Sequence, residues 1–233
     1  MLRGMAGGIG DVLRGLAARL LAGPPALPAG PWPEGDLAAI PYVVFDLEAT
    51  GLRPSRGDAI VQIGAVRLEG LEEAGRFSTL VNPGRPIPPA STRYHGITDQ
   101  MVRDAPGVAE ALEAFDAFAG GAVLVAHNAA FDGALLGMAA RAGAPGLANP
   151  LLCTVAVSRW LDPAEPDHSL DGLCGRRGIV IEGRHQALGD ARATAALWRD
   201  LAARAASRGV DDLGALARRS RMAEAMEASA ARF

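Results

Sequence analysis

Four carboxylates and one histidine in this chain sit where a folded protein rarely tolerates them. Asp46 and Glu48 lie in Tyr42-Val43-Val44-Phe45-Asp46-Leu47-Glu48-Ala49-Thr50-Gly51-Leu52. Asp132 closes His127-Asn128-Ala129-Ala130-Phe131-Asp132, and His185 and Asp190 belong to His185-Gln186-Ala187-Leu188-Gly189-Asp190-Ala191. Each acid has apolar or small neighbours, so its backbone is headed for an interior. An unpaired buried carboxylate is costly and must be neutralised, paired or bound to a cation. A divalent metal site is the simplest solution that serves all of them, and sites of oxygen ligands carry out phosphate chemistry.

The pattern of apolar residues says where these stretches lie. Tyr42–Leu47 is a short apolar run ending before Gly51, as in a buried strand. Ala59–Leu68 predicts a second strand, and Gly70 and Gly75 flank a turn into a third, Arg76–Val81. Strands so close in sequence pair most simply as an antiparallel meander. Val108, Leu112, Phe115 and Ala119 form one face of a helix, with Glu110, Glu113 and Asp116 on the other. Ala122–Ala126 predicts a fourth strand feeding a helix over 130–142, and Leu151–Cys153 a short fifth strand. Helices follow near 154–161, 168–177 and 187–207, the last with Leu188, Ala191, Ala195 and Trp198 facing inward. The expected fold is α/β: a mixed five-stranded sheet flanked by helices on both faces.

Outside this core, Leu2, Met5, Ile9, Val12, Leu16 and Leu20 make a helical stripe weakened by glycines. Asp11 and Arg14 interrupt any secretory-signal core. Pro24, Pro25, Pro28, Pro31, Pro33 and Pro41 then suggest an extended linker. The expected divisions are an N-terminal helix and linker over 1–39, a core domain over 40–208, and a helical tail over 209–233.

Composition narrows the options. No stretch approaches the roughly 18 apolar residues needed to span a bilayer, so no integral membrane segment is expected. Cys153 and Cys174 have no Cys-x-x-Cys spacing, which argues against a zinc site or disulfide scaffold and for a reducing, cytoplasmic setting. The net charge of −3 argues against a long duplex-coating footprint, but not against a grip on a short strand end. All 23 basic residues are arginine, a composition bias that leaves the individual arginines with little to say.

Spacing turns the acids into a site. Side chains alternate in a strand, so Asp46 and Glu48 project to one face. Alone they would repel, and one would hold a proton at neutral pH. Asp132 starts a helix after a strand, and Asp190 lies in the first turn of a helix, where the dipole favours negative charge. His185 sits in the preceding loop and can take a proton from water near neutral pH. Four oxygen ligands with one base describe a two-metal hydrolase.

The three stretches resemble, in order and spacing, the three motifs of the DEDDh class of 3′–5′ exonucleases, the DnaQ-like group that includes the epsilon proofreading subunit of bacterial DNA polymerase III. Tyr94-His95-Gly96-Ile97-Thr98 matches a further segment of the proofreading branch, and the resemblance covers about residues 42–205. It implies a ribonuclease-H-like fold and two Mg²⁺ or Mn²⁺ ions held by Asp46, Glu48, Asp132 and Asp190. It also implies His185 as base, release of 5′-mononucleotides from a single-stranded or mispaired DNA 3′ end in repair or proofreading, and a DNA polymerase subunit as a candidate partner. Ala49 and Cys153 depart from the commoner residues without touching a ligand position.

Other residues are weighed against simpler roles. Thr50, Leu52, His95, Asn128 and Phe131 are candidate contacts for the terminal nucleotide. Leu52 and Phe131 offer apolar platforms for bases, although core packing is the stronger reading for Phe131. His95 is either a pocket liner or a satisfied loop histidine. His127 is read as structural, fixing the strand end, Asn128 as a contact or a helix cap, and His168 as a loop residue. Two alternative functions remain: the same chemistry on short RNA or tRNA ends, and an inactive nucleic-acid- or polymerase-binding module.

Overall fold

The computed structural model describes residues 32–230, with side chains described through residue 223. The expected N-terminal helical stripe and most of the linker lie outside the described residues. The core is a five-stranded mixed sheet in the order β3-β2-β1-β4-β5, formed by β1 (Tyr42–Ala49), β2 (Ile60–Glu69), β3 (Glu72–Leu80), β4 (Val123–Ala126) and β5 (Leu151–Cys153). β1, β2 and β3 form the expected antiparallel meander, while β1, β4 and β5 run parallel. Eight helices accompany it among the described residues: α1 (Pro89–His95), α2 (Asp99–Val102), α3 (Val108–Ala119), α4 (Ala129–Arg141), α5 (Thr154–Leu161), α6 (Leu170–Arg177), α7 (Ala187–Ser207) and α8 (Leu213–Ala230).

Both faces of the sheet are covered, which is why β1 reads as a continuous apolar run. Tyr42 and Val44 join Val66, Leu68, Val125, Trp198 and Leu201 in a core on the α7 side. Val43, Phe45 and Leu47 point the other way, onto Leu112 and Phe115 of α3 and Leu135 of α4. The Tyr42 and Trp198 rings meet edge to face with centroids 5.1 Å apart, which seats the middle of α7 on the sheet.

Two local features differ from the sequence reading. The β2–β3 turn is tighter than expected, because Gly70 and Leu71 both take positive φ (57° and 62°), the backbone of a two-residue hairpin. Gly75 is therefore inside β3, opposite Arg67, and the register slips between Arg67 and Leu68. The second difference lies at the flanks. Leu37 is buried, its N–H donates to the Asp211 carbonyl at 2.8 Å, and Val210, Leu213, Leu216 and Ala217 join the α7-side core. The segments on either side of the expected 40–208 domain thus meet each other on that core.

β1 outruns its parallel neighbour. It pairs with β4 through Tyr42, Val43 and Val44, whereas its pairing with β2 continues through Asp46↔Gly64 and Glu48↔Gln62. The last residues of β1 therefore stand past the end of β4, where the chain turns at His127 and Asn128 into α4. This step in the sheet edge is the floor of the site.

Candidate active site

Asp46 and Glu48 continue the row begun by Tyr42 and Val44, so they face the side covered by α7. The first turn of α7 carries Asp190 to them. Its approach depends on Gly64, directly opposite Asp46 in the sheet, because a Cβ there would lie 2.1 Å from the Leu188 nitrogen. Gln62, opposite Glu48, accepts a hydrogen bond from the Ala187 N–H at 3.1 Å through its Oε1. A side chain of β2 thus satisfies one of the free amides of the helix N-terminus.

Carboxylate oxygens of Asp46, Glu48 and Asp190 lie within 4.8 Å of one another. Asp132 is buried at 3% exposure in the first turn of α4 and stands just outside that triad, close enough for its charge to act on Asp46. Burial and the neighbouring acids Asp132, Glu48 and Asp190 hold the Asp46 carboxyl well above its ordinary range. Glu48 is pushed up to about 8, by burial first and by Asp190 next. Burial takes Asp132 to about 7 against the opposing pull of backbone amides, including that of Leu47.

A cation already faces this cluster. Arg184 donates from Nη1 to Asp190 Oδ2 at 2.7 Å and grips Asp171 of α6 through Nε and Nη2. The His185 N–H also donates to Asp190 Oδ2, at 3.0 Å. Asp190 Oδ1 is buried without a partner. A buried, unpartnered carboxylate oxygen beside two further carboxylates fits a hard divalent cation, and Asp46, Glu48 and Asp190 could hold one.

Arg184 escaped the sequence reading, which gave the arginines no weight, and Asp171 was seen there only as part of the helix before the third motif; position next to His185 is the signal that could have singled out Arg184. Gln62 was missed as well, since nothing in β2 hints that one amide side chain caps a helix about 125 positions later.

His185 has φ +62°, and its ring packs against Tyr94 with centroids 4.0 Å apart. The Thr50 hydroxyl is engaged, donating to Asp58 Oδ1 at 3.0 Å and accepting from the Ala59 N–H at 3.1 Å. Asp58 also takes the Arg53 N–H and fills the space beside Gly51, where a Cβ would meet it at 2.5 Å. That packing gives the Thr50-Gly51-Leu52 turn its shape and leaves Leu52 83% exposed. His95 ends α1 rather than sitting in a loop; it is buried, and its Nδ1 accepts from the Ile97 N–H at 3.0 Å. Asn128 is exposed in the left-handed region (φ 61°), and its side chain does not cap α4. Phe131 is half-buried against the α3/α4 core. His127 Nδ1 pairs with the Thr154 hydroxyl at 2.9 Å, joining the ends of β4 and β5, and burial holds its pKa down to about 4. His168 Nδ1 pairs with the Ser158 hydroxyl at 2.8 Å.

Comparison with known proteins places this arrangement. A family model described as exonuclease (RNase_T) matches residues 43–198, a span that holds all four carboxylates and His185. A DNA polymerase III subunit epsilon-like protein of Rhodobacter capsulatus is 50% identical over 187 residues, covering 78% of this chain and 27% of that protein. A DNA polymerase III of the PolC type from Bacillus subtilis is 36% identical over 171 residues, covering 72% of this chain and 12% of its own length. The chain thus spans about a quarter or less of these relatives. Among solved structures, Exonuclease X in complex with 5′-overhanging duplex DNA superposes with a TM-score of 0.60 at 27% identity, covering 76% of this chain and 99% of that one. The Escherichia coli Exonuclease I complex with a dT13 oligonucleotide shares the fold, with a TM-score of 0.62 at 19% identity over 72% of this chain and 42% of that one. No helix among the described residues is long and apolar enough to cross a membrane. By its matched span and its relatives, the chain belongs to the DnaQ-like RNase_T family of exonucleases.

Proposed function

We propose that this chain is a metal-dependent 3′–5′ exonuclease that hydrolyses the terminal phosphodiester of single-stranded or mispaired DNA ends and releases 5′-mononucleotides, in proofreading or repair. The observation that carries the reading is the convergence of carboxylate oxygens of Asp46, Glu48 and Asp190 within 4.8 Å of one another, together with a buried Asp190 oxygen that has no partner. Asp132, at the same sheet edge, completes a four-carboxylate set for two Mg²⁺ or Mn²⁺ ions. Such ions supply Lewis-acid stabilisation of charge on the phosphoryl oxygens. The names of the relatives, an epsilon-like subunit and an exonuclease bound to overhanging DNA, support DNA as substrate and a polymerase subunit as partner.

The chain's own residues divide the work. Asp46 and Glu48 would hold the ions from β1, and Asp190 and Asp132 would do so from two helix N-termini, which favour negative charge. His185, at the end of the loop before α7, accepts the proton of the attacking water. Exposed Leu52, four residues past Glu48 in the chain, offers an apolar surface for the terminal base. Frayed ends are preferred because unstacking a paired terminus costs a few kcal/mol.

The test is digestion of 5′-labelled single-stranded, paired and 3′-mispaired DNA, with RNA of the same sequence alongside, in Mg²⁺, Mn²⁺ and EDTA. The expected result is a ladder shortening from the 3′ end, fastest on single-stranded and mispaired DNA, absent in EDTA and lost in Asp190→Asn. Faster digestion of RNA would make the enzyme an exoribonuclease. Intact oligonucleotides in Mn²⁺ would make it a binding module.

A further inference from the structure

We infer that Tyr94 is a positioning residue for His185, holding the imidazole beside the acid cluster; the inference rests on the reading of His185 as the base. The backbone of His185 is fixed from one side, by its N–H on Asp190 Oδ2 at 3.0 Å, and it occupies the left-handed region at φ +62°. Among the described residues no hydrogen bond holds its imidazole. What the ring does meet is Tyr94, with centroids 4.0 Å apart and planes inclined at 41°. Tyr94 is otherwise spent on solvent, with 61% of its surface exposed, so core packing does not explain its place.

The support beneath Tyr94 is firm. Pro88 and Pro89 open α1 and Gly96 closes it in the left-handed region at φ +78°. The Ser91 hydroxyl donates to the Thr50 carbonyl at 2.7 Å, which ties α1 to the end of the chain segment that carries Asp46 and Glu48. His95, buried beside Tyr94, is locked to the Ile97 amide at 3.0 Å. α1 therefore links the chain just past β1, at Thr50, to the loop before α7, and Tyr94 is the point where it touches His185. A base must be held within a fraction of an ångström of its working position, since a misplacement of about 1 Å can cost roughly a hundredfold in rate.

The alternative use of an exposed ring beside such a site is to stack on the terminal base, and the two roles separate kinetically. Full-length protein with Tyr94→Ala and Tyr94→Phe is assayed on 5′-labelled single-stranded DNA in Mg²⁺. In parallel, ¹⁵N-histidine NMR follows the imidazole of the metal-free protein. The chain has four histidines, and a His185→Gln sample identifies the signal. Tyr94→Phe should keep kcat within about twofold, whereas Tyr94→Ala should lower kcat about ten- to a hundredfold with little change in KM. The His185 resonance should broaden through microsecond-to-millisecond exchange in Tyr94→Ala alone, with the melting temperature unchanged. A raised KM at constant kcat, or an unaltered His185 signal in Tyr94→Ala, overturns the inference. The NMR arm needs no turnover. A wild type that leaves DNA intact while its His185 signal still depends on Tyr94 therefore counts against the exonuclease reading and not against the positioning role.

Discussion

At Asp190 two oxygens of one carboxylate have opposite surroundings. Oδ2 takes both Arg184 and the His185 N–H, while Oδ1 is buried with no partner. Arg184 is anchored by Asp171, so it supplies a fixed positive charge to the cluster. A divalent cation and this guanidinium act on the same negative charge, so each weakens the need for the other. Arg184→Gln should destabilise the metal-free protein by about 1–3 kcal/mol, the cost of removing a charged hydrogen-bond partner. The same change should tighten Mg²⁺ binding, and the stability deficit should shrink as Mg²⁺ saturates the site. Thermal melts in EDTA and in Mg²⁺ check this, and an equal deficit in both contradicts it. The acids themselves were legible in the sequence because a charge inside Tyr42–Leu52 or between Ala187 and Ala191 is chemically out of place. Arg184 was not, because one arginine among 23 basic residues, all arginine, looks like any other.

Between elements, the decisive contact is α7 against β2. Gly64 lets the first turn of α7 come within reach of Asp46, and Gln62 satisfies that turn's amide. Gly64→Ala would set a methyl 2.1 Å from the Leu188 nitrogen, and the helix would have to retreat. The expected cost is about 1–3 kcal/mol of stability, as for other overpacked sites, together with loss of divalent binding as Asp190 moves from Asp46 and Glu48. Calorimetric metal titration of the folded variant checks the second part; wild-type affinity would show that α7 is not positioned by this contact. The elements themselves follow from apolar periodicity: α7 spans Ala187–Ser207 and β5 Leu151–Cys153, as the sequence suggests. The β2–β3 turn does not follow, because Leu71 adopts a left-handed backbone that its side chain gives no reason to expect. α1 and α2 were not foreseen as helices either, since they are 7 and 4 residues long and too short to show a period.

Across the whole molecule, two cores clamp a sheet whose open step is crowded with carboxylates. Glu48 and Asp132 are raised to about 8 and about 7, chiefly by burial. The folded chain therefore holds these protons more tightly than the unfolded chain. The stability they contribute is complete below the ordinary carboxylate range and is lost as pH rises through 7 and 8. His127 works in the opposite sense: burial lowers it from 6.5 to about 4, so its contribution is complete above 6.5 and is lost as pH falls. In metal-free buffer the melting temperature should rise by several degrees as pH is lowered from about 8.5 to about 5, steeply down to about 6.5 and more gently below it, where His127 offsets part of the gain. Saturating Mg²⁺ should flatten or reverse the upper limb, because the metal takes the deprotonated carboxylates. An upper limb that is the same with and without Mg²⁺ contradicts this account.

Calorimetric titration of Mn²⁺ into the full-length protein, beside the Asp46→Asn/Asp190→Asn double variant, tests the convergence of these acids on a cation most directly. The wild type should bind about two ions per chain, and the double variant, folded to the same helix content, should lose that binding. Absence of Mn²⁺ binding in the wild type, or undiminished binding in the double variant, would show that these carboxylates are gathered for some other purpose.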